Sequence, residues 1–264
     1  MRPAEWHTAP TPATSVVRRM AQIFGALDSA GTPLGIRELA RCTDLPPSTV
    51  ERLVKDMAQV GFVDRHAGKV VVGLRVFQWG ERARDPQLAR QAAMPLLTDL
   101  RAATGQTIHL AILDGVDVVY VEILPSLAAP RLPSRVGGRL PAHATGVGMA
   151  LLAASPPHVI DKLVASGLPA VGPRTIRQPG LLRRQLIRTA TSELAFEREE
   201  SGPGIVCVAA AIRDADGLPA AAISAAGWAS KMNLRQVGPA VRTTARNVGR
   251  RVLAASLGAP WDTT

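Results

Sequence analysis

Residues 34–61 read LGIRELARCTDLPPSTVERLVKDMAQVG, and their pattern predicts two short amphipathic helices joined by a tight polar turn. In the second helix, apolar residues recur at i, i+3, i+4 and i+7, so that they form one buried stripe. This stripe consists of Val50, Leu53, Val54 and Met57. Thr49, Arg52 and Lys55 fall on the opposite side, where they are free to meet a DNA groove. The stretch therefore predicts a helix-turn-helix.

The first helix of the motif turns an apolar side inward, formed by Ile36, Leu39 and Ala40. Cys42, Thr43 and Asp44 are predicted to form the turn, and Leu45 to pack that turn against the core. The two helices can then cross at a steep angle.

The second helix has two possible starts. Pro47 suits a first helical position, whereas Ser48 with Glu51 three residues later forms a capping box and starts the helix one residue later. Both readings expose the same polar face.

The motif is flanked by a further helix and a hairpin. Val16, Met20, Ile23 and Leu27 recur at helical spacing, and Gly31 is a natural end for that helix. After the motif, FVDRH and VVVGL flank the turn Ala67-Gly68-Lys69, which predicts two strands with basic residues at their tip. Three helices followed by a hairpin predict a winged helix over residues 15–80.

Length and composition predict two folded domains, because 264 residues with 47% hydrophobic content can bury two cores. No apolar run reaches the about 18–20 residues that cross a bilayer, and residues 1–14 lack the hydrophobic centre of a signal peptide. A cytoplasmic protein with a flexible arm over 1–14 is expected. Cys42 and Cys207 are far apart and lack a CxxC spacing, so reduced thiols and no metal site are predicted.

The formal net charge of +10 suggests nucleic-acid binding, but its distribution weakens that argument. Only four of the 31 basic residues are lysines, which is typical of a GC-rich genome that uses arginine codons. Residues 1–84 carry 12 basic and 8 acidic side chains, and residues 85–264 carry 19 and 13. The excess is therefore spread over both domains and supports DNA binding only weakly.

A helical segment is predicted over 85–104, with Asp85 as N-cap and Pro86 as first helical residue. Its apolar face comprises Leu88, Ala92, Leu96, Leu97 and Leu100. Pro95 cannot donate a hydrogen bond to the preceding turn, so the segment should kink or split. We predict a pair of linker helices within residues 81–104.

From Gln106 onward, strand pairs alternate irregularly with helices. QTIHLAILDG and VDVVYVEIL flank Asp114-Gly115, and IVCVAAAI and LPAAAISAAGW flank residues 214–217, so each pair predicts an antiparallel hairpin. Helices are predicted over about 146–152, 156–165, 180–194 and 234–257. The absence of regular βαβ alternation predicts an α+β fold.

Four stretches resemble the isocitrate lyase regulator (IclR) family of bacterial transcription factors. They are SVVRRMAQIF, DLPPSTVERLVKDMAQVGFV, GRLPAHATGVGMALLA and EREESGPGIVCVAAAIRDADG, in the family's order over residues 15–217. The resemblance implies an N-terminal winged helix-turn-helix joined by a helical linker to a GAF-like antiparallel-sheet effector-binding domain over 105–258, with a tail over 259–264. It implies a regulator without a cofactor. The implied partners are double-stranded operator DNA, a small-molecule effector and further copies of the chain, as a dimer or a dimer of dimers.

The resemblance places Ser48, Thr49 and Arg52 on the recognition helix. Hydroxyl groups there position phosphates, and Arg52 reaches a base edge or the backbone. Lys55 is interpreted as a solvated or phosphate-facing residue. Four further candidates for DNA contacts, each equally readable as an exposed charge, are Arg18, Arg19, Arg65 and Lys69. Pro47 stands where relatives commonly have Lys or Arg, so one phosphate contact is expected to be missing.

The family's pocket residues match this chain at seven positions: Ala144, Thr145, Gly146, Val147, Glu197, Cys207 and Ser224. Backbone N–H groups at a helix N-terminus favour an anionic ligand such as a carboxylate. Leu132, Leu140 and Ile205 are candidates for apolar walls, with core packing as the alternative for each. Ala226 replaces a hydroxyl that many relatives carry, which implies a more apolar acid than glyoxylate or pyruvate.

An enzyme is the competing hypothesis, with Cys207 as thiolate and His143 as base. Cys207 lies within an apolar strand, where a buried and inert thiol is the usual outcome. His109 is interpreted as a strand residue that faces one side of the sheet rather than as a ligand. No catalytic residue is therefore assigned.

Overall fold

A computed structural model describes residues 15–82, 84–126 and 132–257 of the chain. Two compact units divide between Ala83 and Arg84. The predicted arm over 1–14 and tail over 259–264 lie outside the described residues.

The described part of the first unit, residues 15–82, contains four helices and three short strands. In chain order they are α1 (Val16–Ala30), β1 (Leu34–Gly35), α2 (Ile36–Thr43), α3 (Pro47–Gln59), β2 (Val63–His66), β3 (Lys69–Val72) and α4 (Leu74–Gly80). The strands form an antiparallel sheet in the order β1-β3-β2. The predicted winged helix is therefore present, with β1 as a third strand that the sequence did not indicate.

The predicted apolar stripe of α3 is fully buried. Val50, Leu53, Val54 and Met57 share one core with Ile23 of α1, Leu39 of α2 and Val63 and Val70 of the wing. The helix α1 ends where its glycine predicted, because Gly31 adopts a left-handed conformation with φ of 62°. The same stripe that fixes α3 in the core leaves its polar face outward.

The structure corrects the predicted turn and decides between the two predicted starts of the second helix. Cys42 and Thr43 belong to the last turn of α2, and Asp44, at φ of 54°, ends that helix. The helix α3 starts at Pro47 after Pro46, so the Ser48–Glu51 capping box is not formed. Pro47 is preorganised for the first turn, which explains why this start prevails.

The wing also differs from its prediction in detail. Lys69 is the first residue of β3 and pairs with His66, so the turn is limited to Ala67 and Gly68. Both turn residues have positive φ, at 50° and 77°, as tight two-residue hairpins require. The helix α4 directly after the wing was not predicted.

We predict that Leu53→Ala destabilises the first unit by about 2–5 kcal/mol. Leu53 is buried in the shared core, and truncation removes apolar contacts and leaves a cavity. Chemical denaturation followed by circular dichroism measures the loss. Lys55→Ala, on the exposed side of the same helix, is the matched control and should change the stability by less than about 0.5 kcal/mol. Equal losses in the two variants would contradict the assigned faces.

Within its described residues, 84–126 and 132–257, the second unit combines five helices with six strands. In chain order they are α5 (Arg84–Thr104), β4 (Thr107–Asp114), β5 (Asp117–Leu124), β6 (Arg139–Pro141), a 3-10 turn (Ala142–Ala144), α6 (Gly146–Ala154), α7 (Pro157–Ser166), α8 (Pro179–Ser192), β7 (Ala195–Arg198), β8 (Ile205–Arg213), β9 (Pro219–Trp228) and α9 (Leu234–Leu257). The predicted α+β fold is confirmed. Among the helices that the structure describes, none is both long and apolar enough to cross a membrane.

A six-stranded antiparallel sheet in the order β6-β5-β4-β9-β8-β7 divides this unit into two cores. On one face, α5 and α9 pack against residues such as Ile108, Val208 and Ile223. On the other face, α6, α7 and α8 pack against small residues of the sheet, including Ala209 and Ala222. The small side chains allow α6 to approach the sheet closely.

The predicted pair of linker helices is instead the single helix α5. Pro95 lies inside it, and the flanking residues Ala93 and Leu97 are fully buried in the core under the sheet. Burial on both sides of the proline holds the helix together despite the missing hydrogen bond. Residues 84–104 therefore form part of the body of the second unit.

Candidate DNA interface and ligand cavity

The outer face of α3 presents the side chains that the sequence assigned to it. Ser48, Arg52 and Lys55 are exposed and Thr49 is half-buried. Within the described part of the chain, Arg52 and Lys55 have no ion pair. Two unpaired cations therefore stand on one side of a helix whose other side is fixed in the core.

Arg65 of the wing does not stand free. Its Nη1 donates to Glu51 Oε1 of α3 at 2.8 Å, and the two side chains are 38% and 50% exposed. A surface pair of this kind contributes at most about 1 kcal/mol, so its main effect is to orient the wing strand toward α3. Lys69, at the start of β3, is exposed beside the turn.

Arg18 and Arg19 lie near the start of α1 and are half-buried. The Arg19 Nε atom is buried and lacks a partner among the described residues. A contact of either residue with DNA stays a prediction.

The residues assigned to an effector meet at one place in the second unit. All of them except Ala144 line a single cavity, which we call the ligand cavity, of about 20 Å³. Ala144 is instead buried within the 3-10 turn. A volume of this size holds about one water molecule, so a larger ligand requires movement of the apolar walls.

Two neighbouring rows of the sheet form the floor of the ligand cavity. Glu197, Cys207 and Ala226 are paired across β7, β8 and β9. In the next row, Ser224 of β9 pairs with His109 of β4. The N-terminus of α6, with Thr145, Gly146 and Val147, closes the cavity above these rows.

Glu197 is held at that helix N-terminus. Its Oε2 accepts the Gly146 N–H at 2.9 Å, and its Oε1 accepts the N–H and the hydroxyl of Ser201. Burial raises the pKa of Glu197 to about 7, although these hydrogen bonds favour the ionised form. Glu197 therefore changes its charge near neutral pH.

Only a glycine fits at position 146. A Cβ there would lie 2.6 Å from the Cys207 Sγ and 3.5 Å from Glu197 Oε2. The absence of a side chain lets the first N–H of α6 reach the carboxylate directly.

His109 was interpreted as a strand residue without a ligand role, but it lines the ligand cavity. Its Nδ1 lies 3.2 Å from Ser224 Oγ and its Nε2 lies 2.9 Å from Ser134 Oγ. Burial lowers the pKa of His109 to about 4, so the ring is neutral near pH 7. Its centroid lies 5.2 Å from that of Tyr120, which also lines the cavity.

Five residues that line the cavity were not predicted as effector contacts from the sequence: His109, Tyr120, Pro133, Ser134 and Ser201. The hairpin turn at Asp114-Gly115 fixes the register of β4 with β5, and with it His109 and Tyr120 could have been placed on one face of the sheet. Ser134 and Ser201 lie on irregular segments, where periodicity gives no signal.

The geometry does not favour the thiol chemistry considered above. Burial raises the pKa of the Cys207 thiol, and Glu197 raises it further. His143 does not line the ligand cavity, and its Nε2 lies 3.0 Å from the Pro169 carbonyl oxygen. Cys207 is therefore a neutral thiol without the proposed base beside it.

Charges are unevenly distributed between two cavities of this unit. Among the described residues that line the ligand cavity, none is a lysine or an arginine. A larger cleft of about 580 Å³ between α6, α8, α9 and the end of β8 is lined by Arg213, Arg242, Arg246 and Arg250. Each of these arginine side chains already donates a hydrogen bond to another residue of the unit; Arg246, for example, bonds to Glu193.

We predict that Glu197→Gln becomes more stable relative to the unchanged protein as pH rises. A carboxyl whose pKa is raised from 4.5 to about 7 stabilises the fold below pH 4.5, and this stabilisation is lost as pH rises through 7. The free-energy difference between the two proteins should grow by roughly 2–3 kcal/mol from pH 5 to pH 8. Urea denaturation at both pH values measures it.

Glu193→Gln is the matched control for this measurement, since the Glu193 side chain is 47% exposed. Its effect on the free energy of unfolding should not change between the two pH values. A Glu197→Gln effect that is equally independent of pH would show that Glu197 is ionised throughout.

Comparison with known proteins identifies both units. Residues 16–67 match the IclR helix-turn-helix domain, and residues 86–250 match the bacterial transcriptional regulator IclR C-terminal domain. The chain is 30% identical over 253 residues to the HTH-type transcriptional repressor AllR of Klebsiella pneumoniae, covering 94% of this chain and 93% of that protein. It is 31% identical over 233 residues to the transcriptional repressor IclR of Escherichia coli K12, covering 85% of each.

Solved structures show the same architecture. An IclR homologue from Microbacterium hydrocarbonoxydans in complex with 4-hydroxybenzoate superposes with a TM-score of 0.83 at 28% identity, covering 90% of this chain and 99% of that one. The IclR protein of Thermotoga maritima gives a TM-score of 0.71 at 25% identity, covering 89% and 99%.

Proposed function

The chain belongs to the IclR family of bacterial transcriptional regulators, and we propose that a small monocarboxylic acid bound in its ligand cavity controls its affinity for a specific operator. Its relatives are transcriptional regulators, which confirms the expectation of a regulator rather than an enzyme. The observation that carries the proposal is the exposed face of α3 in the same chain as a small cavity lined by apolar walls and a few buried polar groups.

Operator binding is supported by the two free cations of α3. Arg52 projects from a helix fixed by four buried side chains, so that its base is rigid while its guanidinium remains available. A guanidinium reaches guanine or phosphate with paired hydrogen bonds. Ser48 and Thr49, at the start of the helix, lie where N-terminal donors meet the phosphate backbone.

Self-association is supported by apolar side chains that the first unit leaves exposed. They are Val16, Val17, Val60, Val72, Leu74, Phe77 and Trp79. Trp79 of α4 packs edge-on to Phe62, whose ring lies 6.4 Å from Phe24 of α1, so the two helices are linked by aromatic rings. A second copy that covers these residues would present two recognition helices, which enter successive major grooves at about 34–36 Å.

The effector class is supported by the lining of the ligand cavity. Apolar walls formed by Leu132, Leu140 and Ile205 surround a few polar groups, as in sites for small organic molecules. The Microbacterium relative binds 4-hydroxybenzoate, an acid with an apolar ring. Ala226 removes one hydroxyl from the wall, which suits an acid with few polar groups.

We predict that Arg52→Ala weakens binding to the operator without unfolding the protein. Loss of a base contact should reduce affinity by about 1–3 kcal/mol and relax specificity at one position, whereas loss of a phosphate contact should lower the salt slope by about 1. Mobility shifts with DNA from upstream of the protein's own gene, at several salt concentrations, measure both.

Arg188→Ala is the control for this loss of charge, because Arg188 is exposed on α8 of the other unit. It should leave specific binding unchanged. If the two variants bind equally well, Arg52 is not a contact residue. If the folded parent protein gives no specific shift at moderate salt, the proposed operator binding is wrong.

We predict that Ser224→Ala alters the response to acids that bind in the cavity. The substitution removes the hydroxyl that lies 3.2 Å from His109 Nδ1 and frees that nitrogen for another partner. A thermal-shift screen of small carboxylates and aromatic acids should show a changed midpoint shift for any hit. Ser230→Ala, at an exposed position after β9, is the control. Identical shifts in the parent and Ser224→Ala proteins would remove Ser224 from the site.

A further inference from the structure

Among the described residues that line the ligand cavity, none is a cation near pH 7 that could pair with an anion. The groups on its lining that can carry charge are Glu197, His109, Tyr120 and Cys207. Near pH 7 the ring of His109 is neutral because burial lowers its pKa to about 4. Burial also raises the pKa of the Tyr120 hydroxyl and of the Cys207 thiol, so both keep their protons. Of these described lining residues, only Glu197 is charged near neutral pH, and its charge is negative.

The place that suits a ligand carboxylate is already occupied from within the chain. Glu197 Oε2 accepts the first N–H of α6, from Gly146, and the hydroxyl of Thr145 accepts the Gly148 N–H at 3.1 Å. An incoming carboxylate therefore meets the carboxyl of Glu197 at the same helix end. Two carboxyl groups that share a buried site cannot both be ionised, so one of them holds a proton.

We propose that an anionic effector enters this cavity together with one proton, which Glu197 takes from water, and that the protonated carboxyl donates a hydrogen bond to the ligand. This inference rests on the proposed function, because it concerns the effector of the same cavity. It makes Glu197 a specificity residue: the cavity accepts a monoanion or a neutral isostere, and it excludes a second negative charge.

The surroundings of Glu197 support the exchange of a single proton. Its own strand and the following loop contribute Ser201 and Glu200, and Glu200 adds a negative charge that further disfavours ionisation of Glu197. The elements packed against it contribute His109 from β4, Tyr120 from β5 and Cys207 from β8, all neutral near pH 7, and the first turn of α6 contributes no titratable side chain. Arg198 and Arg174 interact with Glu200 and do not line the cavity.

The size of the effect follows from linkage. With a pKa of about 7 in the free protein, Glu197 is mostly protonated at pH 6 and mostly ionised at pH 8. The dissociation constant of an anionic ligand should therefore rise about tenfold between these pH values, with uptake of about 0.1 proton at pH 6 and about 0.9 at pH 8. A neutral ligand should show neither effect.

Isothermal titration of the full-length protein tests this with two probes of the same shape. Benzoate carries one negative charge at pH 6 and pH 8, and benzamide is neutral at both. Titrations in buffers with different ionisation enthalpies give the number of protons taken up directly, without any substitution. Glu197→Gln imitates the protonated side chain, and Glu193→Gln is the control for loss of a carboxylate.

We expect the acid to bind about tenfold more weakly at pH 8 than at pH 6, with proton uptake on binding. The affinity for the amide should not change with pH. Glu197→Gln should bind the acid equally at both pH values, and Glu193→Gln should behave as the parent does.

Equal acid binding at pH 6 and pH 8 without proton uptake would overturn the inference while the proposed effector class stands. Binding that is insensitive to Glu197→Gln and to pH would place the acid elsewhere, such as in the arginine-lined cleft, and would also overturn it. Failure of both probes to bind at either pH would overturn the proposed effector class for this cavity, and the inference with it.

Discussion

The contact between the first N–H of α6 and the buried carboxylate of Glu197 organises the second unit. It joins a helix to the edge of the sheet at a point where only hydrogen fits between them, because a Cβ on Gly146 would overlap the sulfur of Cys207. The small residues Ala209, Ala222 and Ala226 extend this close approach along the floor of the sheet. The position of α6, the closure of the ligand cavity and the altered acidity of Glu197 all follow from this one approach.

The first unit is built on a different constraint, which is the division of α3 into two faces. Four consecutive stripe positions are buried, and the charged residues on the opposite side have few partners within the chain. The ion pair between Glu51 and Arg65 adds a link from the exposed side of α3 to the wing. This pair neutralises one of the wing's charges, so the basic surface available to DNA is narrower than the sequence suggests.

Much of the fold could be predicted from the sequence, because its long elements carry strong periodic signals. The stripe of α3, the glycine end of α1 and the hairpin at Asp114-Gly115 each depend on residues close together in the chain. The short strands β1, β6 and β7 could not be predicted, since two to four residues are too few to show a period and, unlike β2 and β3, these strands do not flank a recognisable hairpin turn. The break predicted at Pro95 is absent because burial of its neighbours on the sheet, a long-range effect, outweighs the local loss of a hydrogen bond.

The candidate site likewise combines features that the sequence predicts with features that depend on long-range contacts. The resemblance to a family located the turn of Gly146 and the positions of Glu197, Cys207 and Ser224, which the structure brings around one cavity. That His109 joins them depends on the pairing of β4 with β9, a contact between residues 115 positions apart. That no described residue of the lining is a lysine or an arginine could not be predicted from a chain with 31 basic residues, because only the fold decides which of them lie near the cavity.

The neutral histidine and the protonatable glutamate in one cavity have a consequence for the stability of the whole unit. Keeping His109 neutral stabilises the fold above pH 6.5, and this stabilisation is lost as pH falls toward 4. Keeping Glu197 protonated stabilises the fold below pH 4.5, and this stabilisation is lost as pH rises toward 7. As pH changes, the contributions of His109 and Glu197 to the free energy of unfolding change in opposite directions by similar amounts, so they largely cancel. Mild acidification therefore protonates Glu197 and changes the charge of the cavity, while the contributions of these two residues to the stability of the unit largely offset each other.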